Sequence, residues 1–253
     1  MNIQAVRTHK IQASSNLLEI IKKYLPVIKE RSIVVITSKI VSICEGRVIN
    51  KTTADKDELI IQEAQYYLPR ASNLYNIMLT ITHGMLIPTA GIDESNGLDH
   101  YILWPNNPQR TANNIRKTLV QRYGLKEVGV IITDSKTTPL RLGTTGIALA
   151  HSGFKAIKNY IGKKDIYGEK LKMTQANLAD GLAAAAVLVM GEGDEQTPLA
   201  IINDLSFIDF QHRNPTSKEL KSMAISKDSD IYSKLINGVK WQKGGNCSTW
   251  NNL

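Results

Sequence analysis

Two short apolar runs constrain this chain more than any other feature: SIVVITS at 32–38 and EVGVIIT at 127–133. Each has the length of a strand and an uncharged apolar interior, so both read as buried strands. LAIIN (199–203) and TGIALA (145–150) read the same way, and Ile77, Leu79 and Ile81 alternate as one face of another strand. IVSICEGRVI reads as a further extended segment broken at Gly46.

Helical spacing fills the intervals. Leu17, Leu18, Ile21 and Leu25 follow Asn16, with Glu19 three residues on, which predicts a helix from near Ser15 to just before Pro26. A second helix is expected from a Thr53 cap to Leu68, stopped by Pro69. Ala112, Ile115 and Leu119 mark a third, ending at Gly124, and Thr174 is placed to cap a fourth running through Leu178, Leu182, Ala186 and Val189 to Gly191. The stretches TAGIDESNG and PNNPQ carry loop chemistry. Beyond 203, Leu220, Met223, Ala224, Ile231 and Leu235 predict short helical segments, and the polar tail from Gly238 is expected to be loose.

At 253 residues the chain suits one large domain or two small ones, with enough length for a proper core. Cys44 and Cys247 have no partner at zinc-site or redox-pair spacing, which points to a reduced, cytoplasmic protein. The N-terminus has no apolar stretch behind its basic residues, and the longest apolar run, AAAAVLVM at 183–190, is too short for a membrane span and reads as a buried helix. The formal charge of +8 fits nucleic acid, an anionic membrane, a small polyanionic substrate or a plain basic surface. Aromatic content of 6% without basic-aromatic interleaving argues against a single-strand nucleic-acid binder.

Several standard sites are excluded. The only Gly-Lys pair, Gly162 and Lys163, has Ile157 where a P-loop needs its first glycine and Lys164 where it needs a hydroxyl. There is no G-x-G-x-x-G after a strand and no H-E-x-x-H. What remains is a set of acidic residues at element ends. Asp134 follows an apolar strand and precedes Ser135, so the pair can present hard oxygens to divalent cations. Asp93 lies in a glycine-bounded loop, and Glu192 lies between Gly191 and Gly193, which let backbone approach a ligand closely. Taken singly, each is also an ordinary turn residue. Lys39 follows a buried strand, and Arg141, between Pro139 and Gly143, has the planar fork that suits phosphate or carboxylate. Lys155, Lys158, Lys163 and Lys164 read as a solvated helix face, and His83, His100 and His151 as isolated core or surface histidines.

In order, TSKIVSICEGR, AGIDESN, the Pro-Asn-Asn-Pro loop, VGVIITDS, RLGTTGIALAHSG, GKKDIYGEKLKMT, ADGLAAAA and MGEGDEQTP resemble the coenzyme F420:L-glutamate ligase family over about residues 3–205. The resemblance implies an α+β fold of mixed or antiparallel sheets with packed helices, two lobes and an intertwined homodimer. The expected lobes are 1–88 with 190–253 for nucleotide and 89–189 for metal and acceptor. It implies a GTP-dependent γ-glutamyl ligase, with Mg or Mn, that joins L-glutamate to an anionic carboxylate acceptor, a deazaflavin or in some relatives a folate, without nucleic acid or membrane. A degenerate, non-catalytic nucleotide binder is the rival. By motif, Asp93, Asp134, Ser135 and Glu192 resemble metal ligands. Ser38, Lys39, Asn96, Met190, Gly191 and Gly193 resemble nucleotide contacts, and Thr8, His9, Lys10 and Ile11 match a further contact segment. Asp93, Asp134, Glu192 and Arg141 are expected to carry the catalysis. The chain departs from the family pattern at Ile43, at Asn203 and Asp204, and in the loop SKTTPLRLG.

Overall fold

The structure is a computed structural model that describes residues 1–13 and 15–246. The chain runs β1 (Asn2–Val6), α1 (Leu17–Tyr24), β2 (Ser32–Thr37), α2 (Ser38–Cys44), β3 (Val48–Asn50), α3 (Lys56–Glu63) and β4 (Tyr66–Leu68). It continues through β5 (Leu79–Thr82), β6 (Met85–Pro88), β7 (His100–Ile102), α4 (Pro108–Tyr123), β8 (Val128–Thr137) and β9 (Thr144–Ser152). The remainder is β10 (Ile157–Asn159), β11 (Gln175–Asn177), α5 (Leu178–Met190), β12 (Leu199–Asn203), α6 (Ser217–Lys221), α7 (Ser233–Ile236) and β13 (Gln242–Lys243). The α+β expectation with mixed and antiparallel sheets is met.

The apolar runs explain the centre. A five-stranded sheet has the order β1-β12-β2-β8-β9, with β2 and β8 parallel and the other pairs antiparallel. Ile33 through Ile36 are fully buried because both faces are covered. Val34, Ile36, Val130 and Ile132 pack with Ile21, Ile115 and Leu119 of α1 and α4 on one face. On the other, Ile33, Val35 and Ile131 pack with Leu182, Ala183 and Ala186 of α5. A four-stranded antiparallel sheet, β13-β4-β5-β6, and a pair β3-β7 stand beside this sandwich, with α3 closing a smaller core around Ile60 and Leu103.

Several segments differ from the sequence reading. Residues 38–44 are helix α2 and not a strand, because Ile40, Val41 and Cys44, at helical spacing, all face the α1/α4 core. The second helix starts at an Asp55 cap and ends by Ala64, and Tyr66–Leu68 become β4, paired with β5. The cap of α5 is Asn177, whose side chain accepts from the Asp180 amide; Thr174 precedes the short strand β11. Lys158 lies in β10, and Lys163 and Lys164 lie between β10 and β11, so they share no helix face. The expected loose tail instead adds β13 to β4, with Gly244, Gly245 and Asn246 bonded to the end of α3. Residues 247–253, Cys247 among them, lie outside the described residues.

Candidate functional site

The site forms where parallel β2 and β8 end their pairing, the position at which open α/β sheets leave room for ligands. Thr37 pairs with Thr133, so the next residues, Ser38 and Asp134, emerge side by side. A register shift between Ile132 and Thr133 precedes Asp134. Contrary to the sequence reading, Asp134 and Ser135 do not follow the strand but lie inside β8, which continues to Thr137 along β9. The extended hairpin fixes their direction.

Asp93 is held from the opposite side. Its backbone exchanges two hydrogen bonds of 2.9 Å with Ile102, and its carboxylate accepts from the Ser95 amide at 2.7 Å and the Ser95 hydroxyl at 3.0 Å. Lys39, near the start of α2, places Nζ 2.7 Å from Asp93 Oδ2 and also donates to the Ser95 hydroxyl and carbonyl. Burial works to raise Asp93, but Lys39 and Ser95 prevail and hold it below the ordinary carboxylate range.

Asp134 has the opposite balance. Burial pushes its carboxyl up to about 6 and the charge of Asp93 pushes the same way, against the Trp104 indole N–H, the Ser135 amide and Lys39. Trp104 donates to Asp134 Oδ2, and the Ser135 amide donates to Oδ1 at 2.8 Å. The Ser135 hydroxyl donates to Glu192 Oε1 at 2.7 Å, and Thr144 of β9 donates to the same oxygen at 3.2 Å. Asn96 closes the ring by donating to the Gly193 carbonyl at 3.2 Å.

Thus Ser38, Lys39, Asp93, Asn96, Asp134, Ser135, Glu192 and Gly193 meet in one region. Gly191 ends α5 with φ 82°, and Met190 is buried with its carbonyl accepting from Thr197. The close backbone approach expected at Gly191 and Gly193 is used internally. Glu195 Oε2 accepts from the Gly193 amide at 2.8 Å, and a Cβ at Gly191 would lie 2.3 Å from Glu195 Cδ. Thr8 reaches the neighbouring segment through paired bonds with Gln196. His9 instead bonds Tyr24 of α1, Ile11 packs into the α1/α4 core, and Lys10 is exposed. Arg141 is not drawn in: it sits on the exposed tip between β8 and β9, and its side chain makes no hydrogen bond or ion pair among the described residues. Trp104, Ser95, Thr144 and Glu195 were missed from sequence. Ser95 alone had a readable signal, as the residue two beyond an Asp in a turn.

A model of the F420-0:Gamma-glutamyl ligase family matches residues 5–204. The chain belongs to the F420-0:γ-glutamyl ligase family. It is 36% identical over 231 residues to the coenzyme F420:L-glutamate ligase of Methanococcus maripaludis strain C6, covering 85% of this chain and 90% of that protein. The protein of the same name from Methanocaldococcus jannaschii is 37% identical over 204 residues, covering 74% and 80%. That of Methanopyrus kandleri is 34% identical over 214 residues, covering 78% and 83%. The residues that converge at the ends of β2 and β8 all fall inside the stretch matched to this ligase family.

The donors suit a hard divalent cation in kind, since all are carboxylate or hydroxyl oxygens and the raised Asp134 carboxyl faces a second carboxylate. In this arrangement the cation next to Asp93 is Lys39. Among the described residues, no three His, Cys, Asp or Glu side chains form a cluster able to hold a metal. The oxygens are therefore paired off through Lys39, Trp104 and Ser135 and not gathered about one point. Cys44 is no rival nucleophile, because burial pushes its thiol up to about 11. No helix among the described residues is long and apolar enough to cross a membrane.

Proposed function

We propose that the protein joins L-glutamate to a carboxylate acceptor in an amide bond, at the expense of GTP and with a divalent cation. The observation that carries this reading is Lys39 on Asp93 beside Asp134, with the Ser135–Glu192 pair at the next residue of β8, in a chain of this family. The family's description, which prints F420-0, and the relatives' name, which prints coenzyme F420, support coenzyme F420-0 as acceptor.

A carboxylate is a poor electrophile, so it is first phosphorylated: its oxygen takes the γ-phosphoryl group and GDP leaves. The glutamate amine then attacks the acyl carbon, the C–N bond forms, the C–O bond to phosphate breaks, and the amine loses a proton to solvent. Asp93, Asp134, Ser135 and Glu192 would hold the cation, which supplies charge neutralisation at the transferring phosphoryl group. Lys39, released from Asp93, turns its ammonium to the phosphates. Ser38, Asn96 and the Met190–Gly193 turn border the nucleotide, with Thr8 behind them. Trp104 and Thr144 keep Asp134 and Glu192 in place.

The exposed β8–β9 tip carries Leu140 and Leu142, both almost wholly in solvent, and Leu188 near the end of α5 is also exposed. Such surface supports a homodimer, in which Arg141 would reach the partner's site. The test is incubation with GTP, Mn and labelled glutamate against coenzyme F420-0 and tetrahydrofolate in parallel. Glutamylated product with equimolar phosphate is expected from at least one acceptor; its absence from both overturns the reading.

A further inference from the structure

Among the side chains that the ligase reading gives to a divalent cation, Asp93 already has a cation on it. Lys39 Nζ lies 2.7 Å from Asp93 Oδ2, and the same ammonium donates to the Ser95 hydroxyl at 2.8 Å and to the Ser95 carbonyl at 3.0 Å. An ammonium has three N–H donors, and these three oxygens take one each. Carboxylate, hydroxyl and backbone carbonyl are also the oxygens that a hard divalent cation selects.

The charge of Lys39 reaches the second carboxylate as well. It works to lower the Asp134 carboxyl while Asp93 works to raise it. Lys39 therefore acts on both acids from one position, as a bound cation would, and weakens the field that would otherwise draw one in. Asp93 and Ser95 are fixed by the paired backbone bonds between Asp93 and Ile102 and by the Ser95 amide on Asp93 Oδ1. Lys39 comes from the other side, as the second residue of α2, on a flexible four-carbon stem. Both partners are half-buried, so the contact is open to solvent ions.

Two cations cannot share one carboxylate edge at this distance, so a metal taking Asp93 must expel the ammonium from all three of its bonds. A polyphosphate that accepts the ammonium removes that cost. The two ligands then help one another, because whatever frees Asp93 of Lys39 raises metal affinity, and a metal on Asp93 releases Lys39 to the polyphosphate.

We propose that Lys39 is a resident counter-cation that closes the metal position at Asp93 until a polyphosphate draws its ammonium away. This deepens the ligase reading and rests on it for the identity of the polyphosphate. Manganese titration of the full chain without nucleotide, followed by the paramagnetic resonance signal of free Mn, tests it apart from turnover. Lys39→Met and Lys39→Gln are expected to bind Mn about tenfold or more tightly than the wild type, with Lys39→Arg within about threefold of it. Lys136→Met removes a positive charge two residues beyond Asp134 in β8, and is expected to change Mn affinity by less than about threefold. Adding Asp93→Asn to Lys39→Met should abolish the gain. In EDTA, calorimetry should find GTP bound about tenfold more weakly by Lys39→Met. Mn affinity no higher in either folded neutral variant, an equal gain in Lys136→Met, a gain that survives Asp93→Asn, or unchanged GTP affinity overturns the proposal. With these binding results in hand, failure to glutamylate any acceptor would count against the ligase reading and leave the role of Lys39 standing.

Discussion

At the scale of single residues, Asp134 carries most of the proposed chemistry, and its surroundings say how. Its carboxyl is pushed up by burial and by Asp93 and steadied by Trp104. Asp134→Asn keeps the size but removes the charge, so steady-state glutamate incorporation should fall by about a hundredfold or more, as for loss of a strong electrostatic stabiliser. Gly91 tests the support behind it. It has φ 74°, and a Cβ there would meet Trp104 Cε2 at 2.2 Å. Gly91→Ala should cost about 1–3 kcal/mol in urea unfolding and lower turnover by displacing the indole. His151 makes a pH prediction. Burial pushes its imidazole down from 6.5 to about 4, against the opposing charge of Glu219. Between those values the unfolded chain binds the proton that the folded one refuses, so stability falls as pH drops through that window, by about 3 kcal/mol at most. Urea melts at pH 7, 5.5 and 4.5 should show the loss, and His151→Gln should reduce it. Asp93, Asp134 and Glu192 were singled out as a set through the motifs that resemble the ligase family, since taken singly each reads as an ordinary turn residue. Trp104 and Thr144 were not, since their value comes from contacts across 30 and 48 residues of chain.

Elements were read most securely where local pattern and burial agree. The stretches Ile33–Ile36 of β2, Val128–Ile132 of β8 and Leu199–Ile202 of β12 carry no polar side chain, and the centre of a covered sheet is where such runs belong. Helix α2 was misread because Ile40, Val41 and Ile43 favour strand locally, while packing onto α1 and β2 prefers them wound. The cap of α5 was displaced by three residues for a related reason. Gln175–Asn177 pair with Ile157–Asn159, which leaves Asn177 as the residue that bonds the Asp180 amide at 3.0 Å. Asn177→Ala should therefore destabilise the protein by about 1 kcal/mol, whereas Thr174→Ala should change little, as thermal unfolding of the two variants will show.

For the whole molecule, the exposed apolar tip of the β8–β9 hairpin argues for a second copy, and light scattering should return a mass near twice 28.1 kDa. Leu140→Lys with Leu142→Lys should shift that mass toward the monomer. The sequence by itself determined the buried strands and most helices, because burial and backbone preference act over a few neighbouring residues. Only the tertiary structure decided that Asp134 lies within a strand, that Lys39 sits on Asp93 and that Arg141 stays apart. Those facts depend on the register of β8 against β9 and on how α2 packs. Both are fixed by long-range burial summed over the entire core, which no short stretch of residues contains.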